Sequence, residues 1–397
     1  MYITRLELDS FRNISSEEII FGSGINVICG KNAQGKTNIA EAVYYLACAK
    51  SFRGATPKEM IFFGGGDSSK ADRARIEVTV KQGDGNSAEA SSGKRDHTIK
   101  AELFRNEKKK LYINDVKIEK YSEFFGKLKV VLFTPEHLRL VKDGPSERRG
   151  FIDQAVSQLK PRYASMLGDY GKKLMSRNAL LKKYKAPDSD RDELFYWDKA
   201  VADASVAITV LRAKYIDMIS DKASEFYAGI SGGEEMKIVY RSSLFSPEEK
   251  EELINTKEGN EELTKRCILA LEKRTEHDII TGSTGVGAHR DDFDIYVNGK
   301  SARDYASQGQ QRSCVLSLKL AEGEAAKFVG GEYPVFIFDD VFSELDSSRR
   351  EFLTRKLSDK QIIITSCETE DIKKAAANAG GREPDVIRID KGKVIRE

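Results

Sequence analysis

Short runs of alternating or continuous apolar residues in the first third of the chain predict β-strands. Ile3 to Leu8 alternates between apolar and polar positions, as a half-buried strand does, and Gly24 to Cys29 is a mainly apolar run that leads into a glycine-rich turn. Asn38 to Lys50 then has the apolar spacing of a helix. Residues 75–134 return to strands with polar connections, among them an Asn114-Asp115 turn.

The middle of the chain, from Pro145 to about residue 280, is predicted to be helical. Two stretches within it carry side chains at alternating steps of three and four residues, the spacing of a coiled-coil seam. The seam positions are Tyr163, Leu167, Tyr170, Leu174, Leu181 and Tyr184, with Arg177 in the one polar slot, and then Leu194, Trp197, Val201, Ala204, Ile208, Leu211, Tyr215 and Met218. A helix cannot run through Ala186-Pro187-Asp188-Ser189-Asp190 between them. The pattern predicts an antiparallel helical hairpin, with an ordinary helix-bundle face as the alternative.

The last third of the chain returns to an α/β pattern. Asn298-Gly299 separates two short strand-like runs and is a strong two-residue hairpin turn. A helix is predicted from Gln310 to about Phe328, and a buried strand over Val335 to Phe338. A further helix, strand and strand pair are predicted at 347–357, 361–365 and 385–394. Because both ends of the chain are α/β and the middle is helical, one domain is predicted to be interrupted by another.

The composition removes several classes of protein. The chain has 397 residues, enough for two or three domains, with 65 basic and 63 acidic side chains and a net charge of +2. Any basic surface must therefore be local. No apolar run approaches the ~20 residues that span a membrane, and Met1 to Arg5 lacks the profile of a signal peptide. Five scattered cysteines without a Cys-x-x-Cys pair predict reduced thiols in the cytoplasm, which excludes secreted and zinc-finger proteins.

A P-loop carries the first chemical signal. Gly30 to Thr37 matches G-x-x-x-x-G-K-[ST] at every fixed position, after a predicted strand and at the start of a predicted helix. Backbone N–H groups of such a loop wrap phosphates, and the helix N-terminus favours their charge. Lys36 is expected to reach the β- and γ-phosphates of ATP, and Thr37 to offer its hydroxyl to Mg²⁺. The candidate ATP-binding residues are Gly30, Lys31, Asn32, Ala33, Gln34, Gly35, Lys36 and Thr37.

The second signal is a run of four apolar residues that ends in two carboxylates, Val335 to Asp340. Alone, it could be a buried strand followed by a capping Asp. With a P-loop earlier in the chain, Asp339 is expected to hold Mg²⁺ and Asp340 to polarise the attacking water. The candidate catalytic residues are thus Lys36, Asp339 and Asp340, and the candidate metal ligands are Thr37 and Asp339.

Ser307 to Arg312 opens the helix that precedes this strand. Ser307 is a good N-cap, and Gly309 permits close backbone approach. The order of P-loop, Ser-x-Gly-Gln, acidic strand and Ser343-Glu344-Leu345-Asp346 resembles that of the ABC-type ATPases. The resemblance implies that Ser307, Gly309 and Gln310 act on ATP held by a partner subunit, so that a homodimer encloses two ATP molecules.

A longer set of motifs is similar to the RecF family of SMC-like ABC-type ATPases, bacterial proteins of recombination and gap repair. Besides the ATPase elements, the matching segments are Ser10-Phe11-Arg12-Asn13, Ser51-Phe52-Arg53, Phe133-Thr134-Pro135-Glu136, Arg148-Arg149-Gly150-Phe151-Ile152-Asp153 and His289-Arg290-Asp291-Asp292. Ala33 and Ala288 depart from the glycine and proline that are usual in the family. The resemblance implies an α/β fold, an ABC-type ATPase head built from residues 1–140 and 286–397. A mostly helical lobe or arm, which contains the hairpin, is inserted at 141–285.

The same resemblance implies a function. The protein would dimerise on ATP, bind duplex DNA at single-stranded gaps, and help the mediators RecR and RecO load the recombinase. Asp340 replaces the glutamate of ABC transporters, and Thr365-Ser366 stands where transporters keep a histidine. Slow, DNA-stimulated hydrolysis that acts as a timer is therefore expected. By position, Thr134-Pro135-Glu136-His137 is the candidate for the transporter Q-loop.

DNA binding requires local basic patches. The candidates are Lys108-Lys109-Lys110, Arg148-Arg149, Lys172-Lys173, Arg177 and Lys182-Lys183-Lys185. The last three groups are expected on the outer faces of the first hairpin helix, where they would contact phosphates without sequence preference. Because aromatic residues do not interleave them, duplex DNA is favoured over single strands. A solvated helix face is the alternative.

Other classes of protein remain as alternatives. A monomeric P-loop enzyme acting on a small molecule, such as a kinase, would leave Ser307 to Arg312 without a role. The ATPase subunit of a membrane transporter would lack the inserted heptad helices, and a nuclease with the same head would need a further catalytic domain. A change from monomer to dimer on addition of ATP would distinguish the ABC-type reading from the first alternative.

Overall fold

The computed structural model describes residues 1–62, 72–83, 96–184, 192–378 and 383–395. Their contacts divide the chain into two compact units. The first unit comprises Met1–His137, Ala228–Gly233 and Leu316–Glu397, and the second comprises Leu138–Tyr227 and Glu234–Val315. Both units are therefore assembled from separate stretches of the chain.

Strands and helices alternate along the described residues. The strands are β1 (Tyr2–Phe11), β2 (Ile14–Ile20), β3 (Ile25–Cys29), β4 (Arg73–Lys81), β5 (His97–Phe104), β6 (Lys110–Ile113), β7 (Val116–Lys117), β8 (Val130–Phe133), β9 (Met236–Arg241), β10 (Asp292–Val297), β11 (Lys300–Ser301), β12 (Val335–Asp339), β13 (Ile362–Ser366), β14 (Asp385–Asp390) and β15 (Lys393–Ile395). The α-helices are α1 (Lys36–Cys48), α2 (Pro57–Met60), α3 (Tyr121–Phe124), α4 (Arg139–Lys142), α5 (Pro145–Leu159), α6 (Arg162–Lys183), α7 (Asp192–Ser231), α8 (Lys250–Asn255), α9 (Lys257–Thr281), α10 (Ala302–Tyr305), α11 (Gln308–Gly330), α12 (Ser347–Lys356) and α13 (Glu370–Asn378). Among these, no helix has the length and apolar character needed to cross a membrane.

An antiparallel sheet in the order β2-β1-β4-β5-β6-β7 forms one layer of the first unit. Its strands alternate between buried and more exposed positions, as in β4, where Ala74, Ile76, Val78 and Val80 are fully buried. These side chains share one hydrophobic core with the apolar residues of α1. The predicted Asn114-Asp115 turn is confirmed between β6 and β7, and both residues have positive φ.

A second sheet, in the order β15-β14-β3-β13-β12-β8, forms the other layer of the first unit. All of its strands are parallel except β15, and every residue of β3, β8, β12 and β13 is buried. Strands of this kind are covered on both faces. Their carboxyl ends meet at one edge, so the residues that follow β3, β12 and β13 lie side by side.

In the second unit, α6 and α7 run antiparallel and confirm the predicted hairpin. Three contacts, seven residues apart on each helix, set the register: Arg177 to Asp198, Tyr170 to Ser205, and Tyr163 to Arg212. The turn expected at Ala186 to Asp190 lies outside the described residues. A further helix, α9, packs against the hairpin, with Ile279 against the buried cluster of Leu180, Leu181 and Leu194.

The seam between the hairpin helices is more polar than the sequence predicted. On α7, half of the expected seam positions are buried, namely Leu194, Val201, Ile208 and Tyr215. At three of the other positions a polar residue one step later also contacts α6, namely Asp198, Ser205 and Arg212. Trp197 itself packs, partly buried, against the cluster of Leu180, Leu181 and Leu194. Because 3.6 residues per turn does not match a heptad, positions i+3 and i+4 both border the contact face, and here the polar one faces inward.

A small sheet in the order β11-β10-β9 adds one strand, β9, to the stretch 145–280 that the sequence predicts to be mostly helical. Met236, Ile238 and Tyr240 of β9 are buried at alternate positions, and the strand pairs antiparallel with β10. The alternation is visible in the sequence but is short enough to be lost between two long helices. The Asn298-Gly299 turn is confirmed, with positive φ at both residues between β10 and β11.

Candidate nucleotide-binding site

A cavity of about 730 Å³ opens at the carboxyl edge of the parallel sheet. It is lined by residues of the P-loop and the first turn of α1, and by Arg12-Asn13, Phe52-Arg53, Pro135-Glu136 and Asp339-Asp340. Its volume lies within the range of ligand sites, about 300–1,000 Å³. The structure thus brings the two predicted ATPase elements to one cavity of the first unit.

The P-loop closes around Lys36, the first residue of α1. Its Nζ donates to the carbonyl oxygens of Gly30 and Lys31, at 2.9 and 3.1 Å. Position 30 must be glycine, because a Cβ there would collide with the backbone oxygen of Ile389. The loop therefore holds a buried ammonium group at its base, where Lys36 lines the cavity.

Asn13 and Ala33 shape the same loop. Asn13 donates from Nδ2 to the carbonyl oxygen of Gln34 at 3.1 Å and accepts from Nδ2 of Asn38 at 2.8 Å, so it ties the loop to α1. Ala33 has a φ of 63°, in the left-handed region that glycine adopts freely and other residues adopt at a cost. The structure thus accounts for the glycine that is common at this position in the family.

Asp339 and Asp340 stand at the end of β12, and Thr365 of β13 holds both. The Thr365 hydroxyl donates to Oδ1 of Asp339 at 2.7 Å and accepts from the backbone N–H of Asp340 at 3.0 Å. Asp340 has a φ of 55°, a strained conformation of the kind that occurs at functional sites. The sequence had marked Thr365 only as a replacement for histidine. Its place at the carboxyl end of the strand next to β12 is the signal for its role.

The surroundings of Asp339 fit a magnesium ion. Burial, with smaller contributions from the charges of Asp340 and Glu136, raises the pKa of Asp339 to about 6, against hydrogen bonds from Thr365 and Thr37. Thr37 and Asp339 offer hard oxygen donors in direct contact, and a cation would relieve the crowded negative charge. The described residues contain no group of three His, Cys, Asp or Glu that would cage a metal. Mg²⁺ suits such a site, because it keeps waters and phosphate oxygens as ligands.

A buried glutamate that the sequence did not single out organises the rim of the cavity. Glu41 of α1 is fully buried and accepts a bidentate pair from Arg12, at 2.8 and 2.7 Å. The Ser51 hydroxyl also donates to Glu41, and Arg53 Nη1 donates to Asn38 Oδ1 at 3.2 Å. The segments 10–13 and 51–53 therefore meet on one carboxylate. An acidic residue within the apolar face of a predicted helix was the available signal.

Two further segments adjoin the cavity. Pro135 and Glu136, from the turn taken as the Q-loop candidate, line it, while His137 accepts at Nδ1 from the Thr134 N–H at 3.0 Å. Burial holds the pKa of His137 well below its usual range, so the ring is neutral and braces the turn. On the other side, Cys367 Sγ lies 3.4 Å from Lys36 Nζ, a contact that the sequence did not indicate.

The Ser307 segment forms a reciprocal N-terminal cap in the second unit. The Ser307 hydroxyl accepts from the Gln310 N–H at 3.2 Å, and Gln310 Oε1 accepts from the Ser307 N–H at 2.9 Å. Gln310 Nε2 also donates to Glu234 at 2.8 Å. Ser307 and Gln308 are exposed, and the first turn of α11 carries no acidic residue. The helix start is rigid and open to an anionic ligand.

The motifs at 148–153 and 288–292 build a buried polar network in the second unit, away from the nucleotide cavity lining. Two arginine–aspartate pairs are bidentate: Arg148 with Asp292 at 2.7 and 2.8 Å, and Arg212 with Asp153 at 2.8 and 2.9 Å. Asp291 is buried and accepts from Thr209 at 2.6 Å and from Tyr240 at 2.7 Å. The network joins α5, α7, β9 and the chain before β10, so these family motifs maintain the fold of the second unit.

Two of the basic residues suggested for DNA contact are not available for it. Arg177 is fully buried between Asp198 at 2.6 Å and Asp278 at 2.9 Å, and Arg148 is 5% exposed and bound to Asp292. The sequence cannot show these pairings, because the partners are up to 144 residues away. Lys172, Lys182 and Lys183 are exposed, Lys173 pairs with Asp169 at 2.7 Å, and Lys185 lies outside the described residues.

Comparison with known proteins places the chain. Residues 2–385 match the family model described as the RecF/RecN/SMC N terminal domain. The DNA replication and repair protein RecF of Ruminiclostridium cellulolyticum is 37% identical over 93% of this chain and 94% of its own length. RecF of Clostridium acetobutylicum is 35% identical over 99% of both chains.

Solved structures agree with this result. The recombination mediator protein RecF in the RecFOR pathway, solved as RecF-ATP, is 30% identical, with a TM-score of 0.86 over 100% of this chain and 97% of the other. A structure of an Smc head bound to the C-winged helix domain of ScpA is 15% identical, with a TM-score of 0.55, and supports the ABC-type head fold alone. The chain belongs to the RecF family of DNA replication and repair proteins, within the SMC-like ABC-type ATPases.

Proposed function

We propose that the protein is an ATP-dependent DNA-binding protein of recombinational repair, which dimerises on ATP and uses slow hydrolysis as a timer. The observation that carries the proposal is the cavity in which Lys36, Thr37, Asp339 and Asp340 meet. The RecF structure solved with ATP, similar over the whole chain, supports ATP as the ligand. The head would be formed by residues 1–140 and 286–397, with the helical lobe at 141–285 inserted.

Each residue of the site has a role in this proposal. The P-loop N–H groups and Lys36 would hold the β- and γ-phosphates, and Thr37 and Asp339 would hold Mg²⁺, which neutralises phosphate charge. Asp340 would polarise the attacking water, at a position fixed by the bond from its N–H to Thr365. Ser307, Gly309 and Gln310 would present a helix N-terminus to the ATP of the partner subunit.

The proposed task is to mark duplex DNA next to single-stranded gaps and to help mediators load the recombinase. The RecFOR pathway named for the similar structures supports RecR and RecO as partners. ATP can drive such a switch only if DNA binds the closed dimer more tightly than the open state. A monomeric P-loop enzyme acting on a small molecule is not favoured by membership of the RecF family.

Sedimentation of the purified protein alone, with ATP, and with ATP plus a gapped duplex tests the proposal. We expect a monomer that becomes a dimer with ATP and sediments faster when the duplex is added. Ser307→Arg places a bulky charge at the open helix start, so it should leave ATP binding intact and prevent dimerisation. If this variant still dimerised with ATP, the composite site would be wrong, and a wild-type monomer under all three conditions would exclude the dimer.

A further inference from the structure

Three basic side chains from separate helices, α5, α6 and α9, and one from the loop itself lie along one loop of the second unit, Gly282 to Asp291, between α9 and β10. Two of them cover its glycines: Lys182 Cγ lies 3.1 Å from the Cβ position of Gly282, and Arg274 Nε lies 2.6 Å from that of Gly285. Two donate to its carbonyl oxygens: Arg290 Nη2 to Thr284 at 3.3 Å, and Arg149 Nη1 to Asp291 at 3.0 Å. The four basic side chains thus lie along the loop from one end to the other.

These four basic side chains have few carboxylate partners within the protein. Among the described residues, Lys182, Arg149 and Arg290 have no carboxylate within 4.0 Å. Arg274 reaches Asp278 only at 3.8 Å, and Asp278 is already bound to Arg177 at 2.9 Å. The nearby aspartates 153, 291 and 292 are engaged by Arg212, by the hydroxyls of Thr209 and Tyr240, and by Arg148.

Arg149 is the clearest case of a basic side chain without a carboxylate at ion-pair distance among the described residues. Its side chain is half-buried, yet its hydrogen bond is to a backbone carbonyl, whereas its neighbour Arg148 has a bidentate carboxylate. Burial lowers the pKa of Arg149 and repulsion from Arg212 lowers it further, against smaller attractions from Asp292, Asp153 and Asp291, which lie beyond ion-pair distance. Holding a guanidinium partly out of water without a counter-ion is costly. An anion from outside the chain would offset that cost.

The loop itself is rigid and lacks exposed acids. His289 Nε2 contacts the Thr284 carbonyl oxygen at 2.8 Å and must carry the proton there, so Nδ1 accepts from the Tyr170 hydroxyl at 2.6 Å. Burial, then the charges of Arg290 and Arg149, lower the pKa of His289, so the ring stays neutral and anchors the loop. The one carboxylate of the loop, Asp291, is buried.

We propose that Lys182, Arg274, Arg290 and Arg149 form a phosphate track, a binding site for the sugar–phosphate backbone of duplex DNA. Four cations in sequence along a ten-residue loop suit a chain of phosphates better than a single phosphate group. Backbone contacts of this kind give affinity without reading sequence. The proposal rests on the DNA-binding function proposed above, which it extends to named residues.

The test compares DNA binding of two triple variants. Arg149→Gln, Arg274→Gln and Arg290→Gln together remove three track charges while each keeps a hydrogen-bond donor. Lys237→Gln, Lys257→Gln and Lys265→Gln remove three charges from exposed positions of the same unit that do not contact the loop. Affinity of each full-length protein for a fluorescent gapped duplex is measured with ATP at several salt concentrations, together with ATP binding and thermal unfolding.

The expected result is a salt dependence, log K against log salt, that is shallower by about 3 for the track variant, since each lost phosphate contact removes about 0.9. The control variant should match the wild type, and Arg→Lys at the three track positions should restore the slope, which also excludes a folding defect. A track variant that binds like the wild type would overturn the track while DNA binding stands. A wild type that binds no DNA would overturn both the track and the proposed function.

Discussion

The nucleotide cavity of the first unit and the polar network of the second both contain residues of family motifs. They differ in whether their charged side chains have an oppositely charged partner within the protein. At the cavity, the groups that bind Lys36 among the described residues are neutral, two carbonyl oxygens and a thiol. Asp339 accepts from the Thr365 hydroxyl, and the Asp340 N–H donates to the same hydroxyl. In the second unit, Arg148 and Arg212 of the network, and Arg177 in the helical hairpin, each face a carboxylate at 2.6–2.8 Å.

This difference separates a site that awaits a charged ligand from one that is complete. A buried charge without a counter-ion is expensive, so a fold that keeps one usually completes it with an ion or a substrate. A buried ion pair needs nothing further, and losing one partner leaves the other stranded. The same comparison applied within the second unit distinguishes Arg149 from Arg148, although the two are adjacent in sequence.

The largest expected effect is at the cavity. Lys36→Met keeps most of the side-chain volume and removes the ammonium group, so we expect ATP affinity to fall by about 30-fold or more, because a buried charge contact is worth about 2–5 kcal/mol. Equilibrium titration with a fluorescent ATP analogue measures it. Lys31→Met in the same loop is the control: Lys31 is exposed, only its backbone is expected to contact phosphate, and affinity should stay within about threefold. Equal losses in both variants would contradict the assignment.

At the buried ion pairs of the second unit, the effect of a substitution should be on stability. Arg177→Met strands Asp198 and Asp278, so the free energy of unfolding should fall by about 3–5 kcal/mol, with ATP affinity and the salt dependence of DNA binding unchanged. Chemical denaturation gives the first quantity. Adding Asp198→Asn and Asp278→Asn removes the stranded charges and should recover part of the loss. A stable Arg177→Met protein with weakened DNA binding would restore the sequence-based view of Arg177 as a DNA contact.

The sequence could predict the parts of the fold that depend on local patterns, and it missed those that depend on distant partners, such as the pairing of Arg177. The α/β ends, the hairpin, both Asn-containing turns and the strands of the parallel sheet follow from local periodicity, which acts over a few residues. Local periodicity does not predict that the side chains of Asp198, Ser205 and Arg212 face α6, because that orientation depends on their partners on that helix. The short strand β9 was also not predicted, because its partner strand β10 is more than 50 residues away in the sequence.

The candidate site shows the same limit. The P-loop and the acidic strand have fixed spacing and were predicted residue by residue. Glu41, Thr365 and Cys367 were missed because their roles depend on neighbours from other strands and helices. Position relative to a strand end could have indicated Thr365, whereas nothing in the local sequence distinguishes Cys367 from the other cysteines.

An intermediate effect, on the ATP turnover rate, is expected at Thr365, the neutral side chain that holds Asp339 and Asp340. Thr365→Val keeps the shape of a fully buried side chain but removes the hydroxyl that holds Asp339 and the Asp340 N–H. An unpaired buried group costs about 1–3 kcal/mol, so the ATP turnover rate should fall roughly tenfold, with ATP affinity within about threefold. Steady-state kinetics separates the two quantities. Thr365→Ser keeps the hydroxyl and should retain activity, and a Thr365→Val enzyme of normal turnover would refute the positioning role.

The smallest effect compares two alanines at opposite ends of α1. Ala33 in the P-loop and Ala49 at the helix end both have left-handed backbones, with φ of 63° and 51°, but Ala33 is exposed and Ala49 is 4% exposed. Changing either to glycine relieves about 1 kcal/mol of strain and costs about 0.4–1 kcal/mol through the unfolded chain. Ala49→Gly also loses a buried methyl group, worth about 0.8 kcal/mol. Denaturation should therefore show Ala33→Gly near the wild type and Ala49→Gly less stable by about that amount. The reverse order would mean that the P-loop backbone is held by contacts of the alanine methyl group rather than strained by it.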